Sequence, residues 1–374
     1  MPKKSAATTH RVVSSSEAHQ ASAPIAHAAK MERRPTINDV ARLANVSKKT
    51  VSRVINESPF VREETRNRVA AVIKQLGFTP DPQARGLAFR RSFRMGLIYD
   101  NPNAAYVINI QEGALGALRK SGYELVVHPC DRTSPEFLSD IEQLVTRQKL
   151  DGVILLPPIS EDDSLAALLK SLKCPYVRVL SAPLDEIENL VLSRDRESAE
   201  QVAEHLVQLG HTRIAMIAGP ASYRSSHERL AGFSRALTER GLSLPPEFVI
   251  EGQYTFESGA ACADVLLSRN PRPTAIFAGN DETAAGVYRT AYLRGFKIPD
   301  DLTVIGFDDS PLASRLCPSL TTMHQPIRDM GRTAAEKLMA RVANLPGPTP
   351  SASTFMPRLV VRESSGPPKP PRVT

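Results

Sequence analysis

Two groups of residues in this 374-residue chain have types and spacings that could do chemistry. The first lies at the ends of short apolar runs: Asp100 and Asn101, Arg178, Tyr254 and Phe256, Asn280, Asp308, with Arg229 just into a helical stretch. Carboxylates, an amide, guanidinium groups and flat rings facing one cleft would satisfy the hydroxyls of a polyol. A ring would cover the apolar C–H face of a pyranose. Taken singly, an Asp or Asn after a strand is an ordinary cap for the next helix; the case for a site is their number. The second group is Lys48, Lys49, Ser52, Arg53 and Asn56. Counting from Lys49, the last four members fall at 0, 3, 4 and 7, on one helical face. Their donors and acceptors suit base edges in a major groove.

The remaining chemistry-bearing residues argue against catalysis. GxSxG, P-loop, HExxH and GxGxxG patterns are all missing. Asp308 and Asp309 are neighbours in sequence and cannot both face one substrate as an acid and base pair. His211 opens a strand and reads as structural, while His205 and His324 have no partner identifiable from sequence. Cys130, Cys174, Cys262 and Cys317 are far apart, with no CxxC pair. Reduced thiols in a cytoplasmic protein are expected, with neither a metal site nor a cofactor.

The elements that must position these residues follow from periodicity. Ile37, Val40, Ala41 and Ala44 make an apolar helical stripe, with Thr36 and Asp39 as a capping-box start. Asn45 and Val46 break it, and Ser47 is an N-cap for a second helix whose Val51, Val54 and Ile55 face inward. Val69, Val72, Ile73 and Leu76 form a third stripe closed by Gly77. Beyond Thr79-Pro80-Asp81-Pro82 a short segment containing Gly86 is too short to be a stable helix alone.

From Arg94 the pattern changes to strands alternating with helices. MGLIYD, ELVVHP, GVILLP and YVRVL form one series, with helices around 107–121, 134–149 and 161–172. NLVLS, RIAMIAG, FVIEG, TAIFAGN and LTVIGFDD form a second, with helices near 195–209, 225–240, 256–268 and 281–295. This predicts an all-α helix-turn-helix headpiece followed by an α/β body of two doubly wound parallel-sheet subdomains. The last helix (327–343) and a strand FMPRLVV (355–361) are expected to cross back, one to each subdomain.

Charge divides the chain in the same place. Residues 1–94 hold 18 Lys and Arg against 7 Asp and Glu, a net +11, whereas the remainder holds 29 against 33, a net −4. A basic front on a mildly acidic body is the footprint of a nucleic-acid contact at one end. No run approaches the ~18 apolar residues of a membrane span. The first 30 residues lack the apolar core of a signal peptide.

TINDVARLANVSKKTVSRVIN, then ETRNRV, then LGFTPDPQARGL, resembles the headpiece and hinge of the LacI/GalR family of bacterial transcription regulators. The resemblance runs from about Pro35 to about Ser365. It implies operator DNA contacts from Thr36, Ser47, Lys48, Lys49, Thr50, Ser52, Arg53, Asn56 and Thr65. It also implies a hinge helix whose Leu87 wedges between base steps in the minor groove. RLAGF, AGNDETAAG and VIGFDDSPLA resemble the family's effector-site signatures, which assigns sugar hydrogen bonds to Arg229, Asn280 and Asp308. Gln325 in TTMHQ matches a cleft-lining position, and Tyr254 or Phe256 the stacking ring. From the first subdomain the resemblance adds Asp100, Asn101 and Tyr106 in IYDNPNAAYV, which departs from the commoner pattern. It also adds Arg178 in PYVRVLSAP, which lacks an aspartate many relatives carry.

The resulting expectation is a homodimeric, cytoplasmic repressor of carbohydrate-utilisation genes. It would bind double-stranded operator DNA and a small sugar-like effector, with no membrane partner. The expected boundaries are a disordered extension to 34, the headpiece at 35–80, a hinge at 81–93 and the body at 94–366, then a loose tail. Within the body, the first subdomain takes about 94–192 and 325–350, the second about 193–324 and 351–366. A stand-alone sugar-binding protein is the competing class. It would share the body, but the basic headpiece argues against it.

Overall fold

The computed structural model describes residues 35–55, 60–78, 91–119, 121–349 and 351–369. Leu87 with most of the expected hinge segment, Asn56 and the stretch 1–34 lie outside the described residues. The chain divides into two compact units, Met1–Asp81 and Pro82–Thr374.

The described residues of the first unit form three helices: α1 (Ile37–Leu43), α2 (Lys48–Ile55) and α3 (Glu63–Leu76). At the start of α1 the Thr36 backbone N and hydroxyl donate to one Asp39 carboxylate oxygen, at 2.9 and 2.7 Å. Asn45 takes a left-handed conformation, φ 51°, and Val46 N donates back to Ala41 O at 3.0 Å. That reversal ends α1, and Ser47 Oγ then accepts from Thr50 N at 3.1 Å to cap α2. Val40, Ala41, Ala44, Val51, Val54, Val69 and Val72 form the small core. Gly77, at φ 59°, closes α3, with Phe78 N donating to Ile73 O at 3.1 Å.

The second unit opens with β1 (Arg94–Tyr99), α4 (Ala104–Leu118), β2 (Glu124–Pro129), α5 (Phe137–Gln148), β3 (Gly152–Leu155), α6 (Asp163–Ser171), β4 (Tyr176–Leu180) and β5 (Leu190–Ser193). A second series follows: α7 (Asp195–Gln208), β6 (Ile214–Ala218), α8 (Arg224–Glu239), β7 (Val249–Glu251), α9 (Phe256–Leu267), β8 (Ala275–Ala278), α10 (Asp281–Leu293) and β9 (Thr303–Asp308). The chain closes with α11 (Pro311–Arg315), β10 (Thr321–His324), α12 (Ile327–Ala343), β11 (Thr354–Phe355) and β12 (Arg358–Val360).

The first sheet has the order β11-β5-β4-β3-β1-β2 and is parallel throughout. The second has the order β12-β10-β9-β8-β6-β7, parallel except where β12 runs against β10. Helices cover both faces of each. Residues of α4 and α12 share one core with the first sheet, and residues of α5 and α6 fill its other side. The pairs α7 with α8 and α9 with α10 do the same for the second sheet. α4 and α12 approach so closely that a Cβ on Gly113 or Gly331 would fall 1.9 or 2.2 Å from the opposing backbone.

Three segments cross between the subdomains: one at Arg194, one at Gln325-Pro326 and one at Met356-Pro357. The third corrects an expectation. Residues 355–361 do not make one strand in the second subdomain. Thr354 and Phe355 pair with β5 in the first sheet, and the chain re-enters a ladder only at Arg358. Pro357 has no N–H to donate to a ladder, so the strand breaks there. The crossings are laced together: Arg194 N donates to Phe355 O at 2.8 Å, and Gln325 Nε2 to Ser193 Oγ at 3.0 Å. Among the described residues no helix is long and apolar enough to cross a membrane.

Candidate ligand cleft and nucleic-acid interface

Parallel strands aim their carboxyl ends, and the loops beyond them, at one rim. Here two such rims face each other across a cleft with about 520 Å³ of empty space, its open mouth included. The first subdomain contributes Asn101, Asn103 and Tyr106 beyond β1, Pro157 beyond β3, and Val179 to Ser181 from β4. The second contributes Tyr223, Ser225 and Arg229 around the start of α8, with Tyr254 beyond β7, Asn280 beyond β8 and Asp308 closing β9. Ser193, Asp195 and Gln325 stand at the crossing segments, with Met330 just past Gln325.

The floor is a chain of charge-assisted contacts. Arg229 Nε donates to Asp195 Oδ2 at 2.8 Å and its Nη1 to Gly279 O at 2.6 Å. Its guanidinium lies over the Phe307 ring, 3.4 Å from the centroid. Burial works against this cation, but Asp195, Tyr254 and Asp308 around it hold its pKa above the ordinary arginine value. Ser193 donates its hydroxyl to Asp195 Oδ1. Asp308 Oδ2 accepts from Asn103 Nδ2 at 3.1 Å, a hydrogen bond from one subdomain to the other. Burial pushes the Asp308 carboxyl up to about 7, against the pull of Arg229 and with repulsion from Asp195 added. Behind it, Asp281 accepts from Thr322 Oγ1 at 2.6 Å and Ser310 N at 2.7 Å. Burial first, then the Asp308 charge, raise Asp281 to about 8.

A second bond spans the cleft where Arg224 N donates to Glu161 Oε2 at 2.9 Å. Burial raises the pKa of Glu161 despite that donor. Tyr254 supplies a wall rather than a free face. Its ring lies over Gly219, where an added Cβ would come within 2.0 Å of it, and its hydroxyl pairs with Ser226 Oγ at 2.8 Å. Tyr223 meets it edge-on at 5.4 Å. Burial raises the pKa of Tyr106, so its phenol stays protonated.

Of the residues singled out from sequence, Asn101, Tyr106, Arg229, Tyr254, Asn280, Asp308 and Gln325 meet in this cleft. Asn280 also caps α10, accepting from Thr283 N at 2.8 Å while Nδ2 donates to Tyr254 O at 3.0 Å. Three others stand elsewhere. Arg178 is 1 % exposed and structural: it donates to Ser160 O and to the carboxylates of Asp163 and Asp185 at 3.3 Å. Asp185 also takes hydrogen bonds from Tyr176 and Asn189. Those donors, with Glu186 N and Arg178, hold its pKa down to about 2 against its burial. Asp100 is paired at the rim with Arg132 at 3.6 Å. Phe256, 38 % exposed, is the first residue of α9 and does not line the cleft.

Sequence reasoning missed Asn103, Ser193, Asp195 and Tyr223. Asp195 carried a usable signal, since it follows NLVLS as Asp308 ends VIGFD. The three histidines weighed from sequence are held by neighbours. His211 sits between Thr274 Oγ1 and Gly366 O, both at 2.9 Å. His205 meets Ser365 Oγ and His324 the Asp309 carboxylate, each also at 2.9 Å. Asp309 therefore turns away from the cleft that Asp308 faces.

In the first unit Lys48, Lys49 and Arg53 are exposed on α2, with Thr50 and Ser52 half-buried beside them. Ser47, exposed, stands at its N-terminus, while Thr36 and Thr65 are half-buried at the starts of α1 and α3. The positive end of α2 and its two lysines thus form one cationic surface, suited to phosphates and base edges.

Residues 36–81 match the family described as bacterial regulatory proteins, lacI family, and residues 203–365 match the periplasmic binding protein-like domain. The chain is similar to the probable HTH-type transcriptional repressor ExuR of Bacillus subtilis (strain 168). The two are 32 % identical over 314 residues, covering 82 % of this chain and 92 % of that protein. It is 33 % identical to the ribose operon repressor of Escherichia coli (strain K12) over 307 residues, covering 82 % and 93 %. Among solved structures, the lac repressor dimer bound to operator and the anti-inducer ONPF aligns with a TM-score of 0.73 at 29 % identity. That alignment covers 89 % of this chain and all of the other. The transcriptional regulator CelR–cellobiose complex aligns at 0.66 and 31 % identity, with the same coverage.

Proposed function

Because the chain belongs to the lacI family of bacterial regulatory proteins, we propose that its headpiece holds operator DNA with an affinity set by a small polyol in the body cleft. It is a DNA-binding transcription regulator of the repressor type, not an enzyme. Support for the effector comes above all from one arrangement: the cleft is lined at once by both sheets and by two of the three crossing segments. A ligand touching Asp195, Asp308 and Gln325 contacts the places where one subdomain turns against the other. It therefore stabilises one hinge arrangement over another. Coupling of this kind is typically worth ~1–3 kcal/mol. The sugar reading draws on the polar lining and on relatives seen with cellobiose and with ONPF.

Base readout falls to Lys48, Lys49 and Arg53, with Thr36, Ser47, Thr50, Ser52 and Thr65 positioning the headpiece, and Asn56 and Leu87 extending the contact. A single headpiece reads only a few base pairs, so two are needed, and the body supplies the dimer contact. Val265, Tyr292 and Leu293 on α9 and α10 are exposed apolar side chains of the second subdomain, as are Ile108 and Leu115 on α4 of the first. The four cysteines fit a reducing, cytoplasmic setting. The deciding experiment is a gel shift on the chain's own promoter region with and without sugars. A shift that one sugar changes supports the reading, and a shift that no small molecule alters sinks it.

A further inference from the structure

We propose that the cleft is selective for an uncharged polyol and discriminates against anionic sugars such as uronates and sugar phosphates. This rests on the effector reading above and narrows it to a chemical class.

The charge pattern is one half of the case. Arg229 is the only cation among the lining residues, and Asp195 and Asp308 are the two acids. Arg229 already has Asp195 at 2.8 Å and Gly279 O at 2.6 Å. Its charge is balanced before any ligand arrives, and Asp308 adds a carboxylate that only the neutral Asn103 amide meets directly, at 3.1 Å. At the nearby rim the exposed Arg224 acts on the Glu161 carboxyl, and four further basic groups already have acidic partners. Arg132 is paired with Asp100, and His324 and Arg362 with Asp309. Arg328 pairs with Glu112. Glu161 brings a further acid to the closing edge, with Oε1 buried and unpartnered. An anion entering this pocket loses its hydration, and the cation that lines it is already balanced.

Hydrogen-bond polarity is the other half. Gln325 is 6 % exposed, and its Oε1 is buried with no partner among the described residues. The amide cannot turn over. Its Nε2 donates to Ser193 Oγ, and that hydroxyl has already given its one proton to Asp195 Oδ1. A flipped amide would set two acceptors against each other. Oε1 is thus locked as an acceptor on a wall of the cleft, waiting for an O–H. Ser181 Oγ, also on the wall, is buried and unpartnered among the described residues, and its hydroxyl can take either role. A hydroxyl can donate to Gln325 and Asp308, whereas a carboxylate or phosphate oxygen brings a further acceptor.

The test is calorimetry and thermal shift on the full chain at pH 7.5. The probes are ribose, xylose, arabinose, glucose, galactose and cellobiose, with glucuronate, galacturonate, ribose 5-phosphate and glucose 6-phosphate as anionic counterparts. At least one neutral sugar is expected to bind, and its anionic counterpart to bind about tenfold more weakly or worse. Gln325→Leu should weaken the neutral sugar by about tenfold or more. A uronate or phosphate that binds more tightly than its neutral parent overturns the inference and leaves the effector site standing. So does a Gln325→Leu chain with undiminished affinity. Silence of every probe, neutral and charged, removes the sugar reading and this inference with it.

Discussion

At the scale of single residues, the body buries two acids, Asp281 and Asp308, whose pKa values stand well above the ordinary 3.8. Between that value and the raised ones, the folded chain holds protons that the unfolded chain has released. The stability they provide is therefore complete below about pH 4 and is lost as pH rises through about 7 and 8. His205 and His211, whose pKa values burial lowers, act oppositely: their contribution is complete above about pH 6.5 and is lost as pH falls below it. The clean window is thus above neutrality. The melting temperature is expected to decline from pH 7 to 8.5, and Asp281→Asn to flatten that decline. Equal slopes for the two proteins would contradict it. Arg178 gives a different kind of prediction. Truncation to Ala would leave buried Asp185 with the longer Lys170 pair at 3.9 Å, at a cost of about 3–5 kcal/mol in denaturant titrations. Where folded, the variant should keep its effector affinity, because Arg178 does not line the cleft.

At the scale of elements, the helix-turn-helix was legible almost to the residue. Its caps, its turn and the apolar stripe of each helix are local, set by residues within a few positions of one another. The strand and helix alternation of the body was legible for the same reason. The misread residues depend on distant partners instead. Arg178 stands in the middle of β4, and the return of residues 185–189 beside it makes it an ion-pair centre. Asp195 opens a charged, solvent-like helix in sequence and becomes a cleft residue because the chain changes sheets at Arg194. The α4 and α12 contact adds a test of packing between remote segments. Gly331→Leu should destabilise the body by ~1–3 kcal/mol or more, since there is no room for its side chain. On α2, Lys49→Ala should change the DNA sequence recovered in a binding-site selection. An unchanged site would leave Lys49 with phosphate contact alone.

At the scale of the whole molecule, the exposed apolar side chains of α4, α9 and α10 predict a dimer. Sedimentation of the full chain at micromolar concentration is expected to give a dimer, and Tyr292→Glu with Leu293→Glu to give a monomer. Tyr292 is 79 % exposed, so the double variant should still fold. A wild-type monomer at that concentration would contradict the proposed assembly. The lacing of the crossing segments has a consequence for how such a protein can change. Gln325 both faces the cleft and ties one crossing to another through Ser193, so recognition and mechanical response share one side chain. A lineage drifting towards a new effector by substitution at Gln325, Ser193 or Asp195 would retune the switch in the same step. Variants selected for altered specificity should therefore arrive already locked on or off. Responsiveness would have to be recovered afterwards by changes elsewhere in the body.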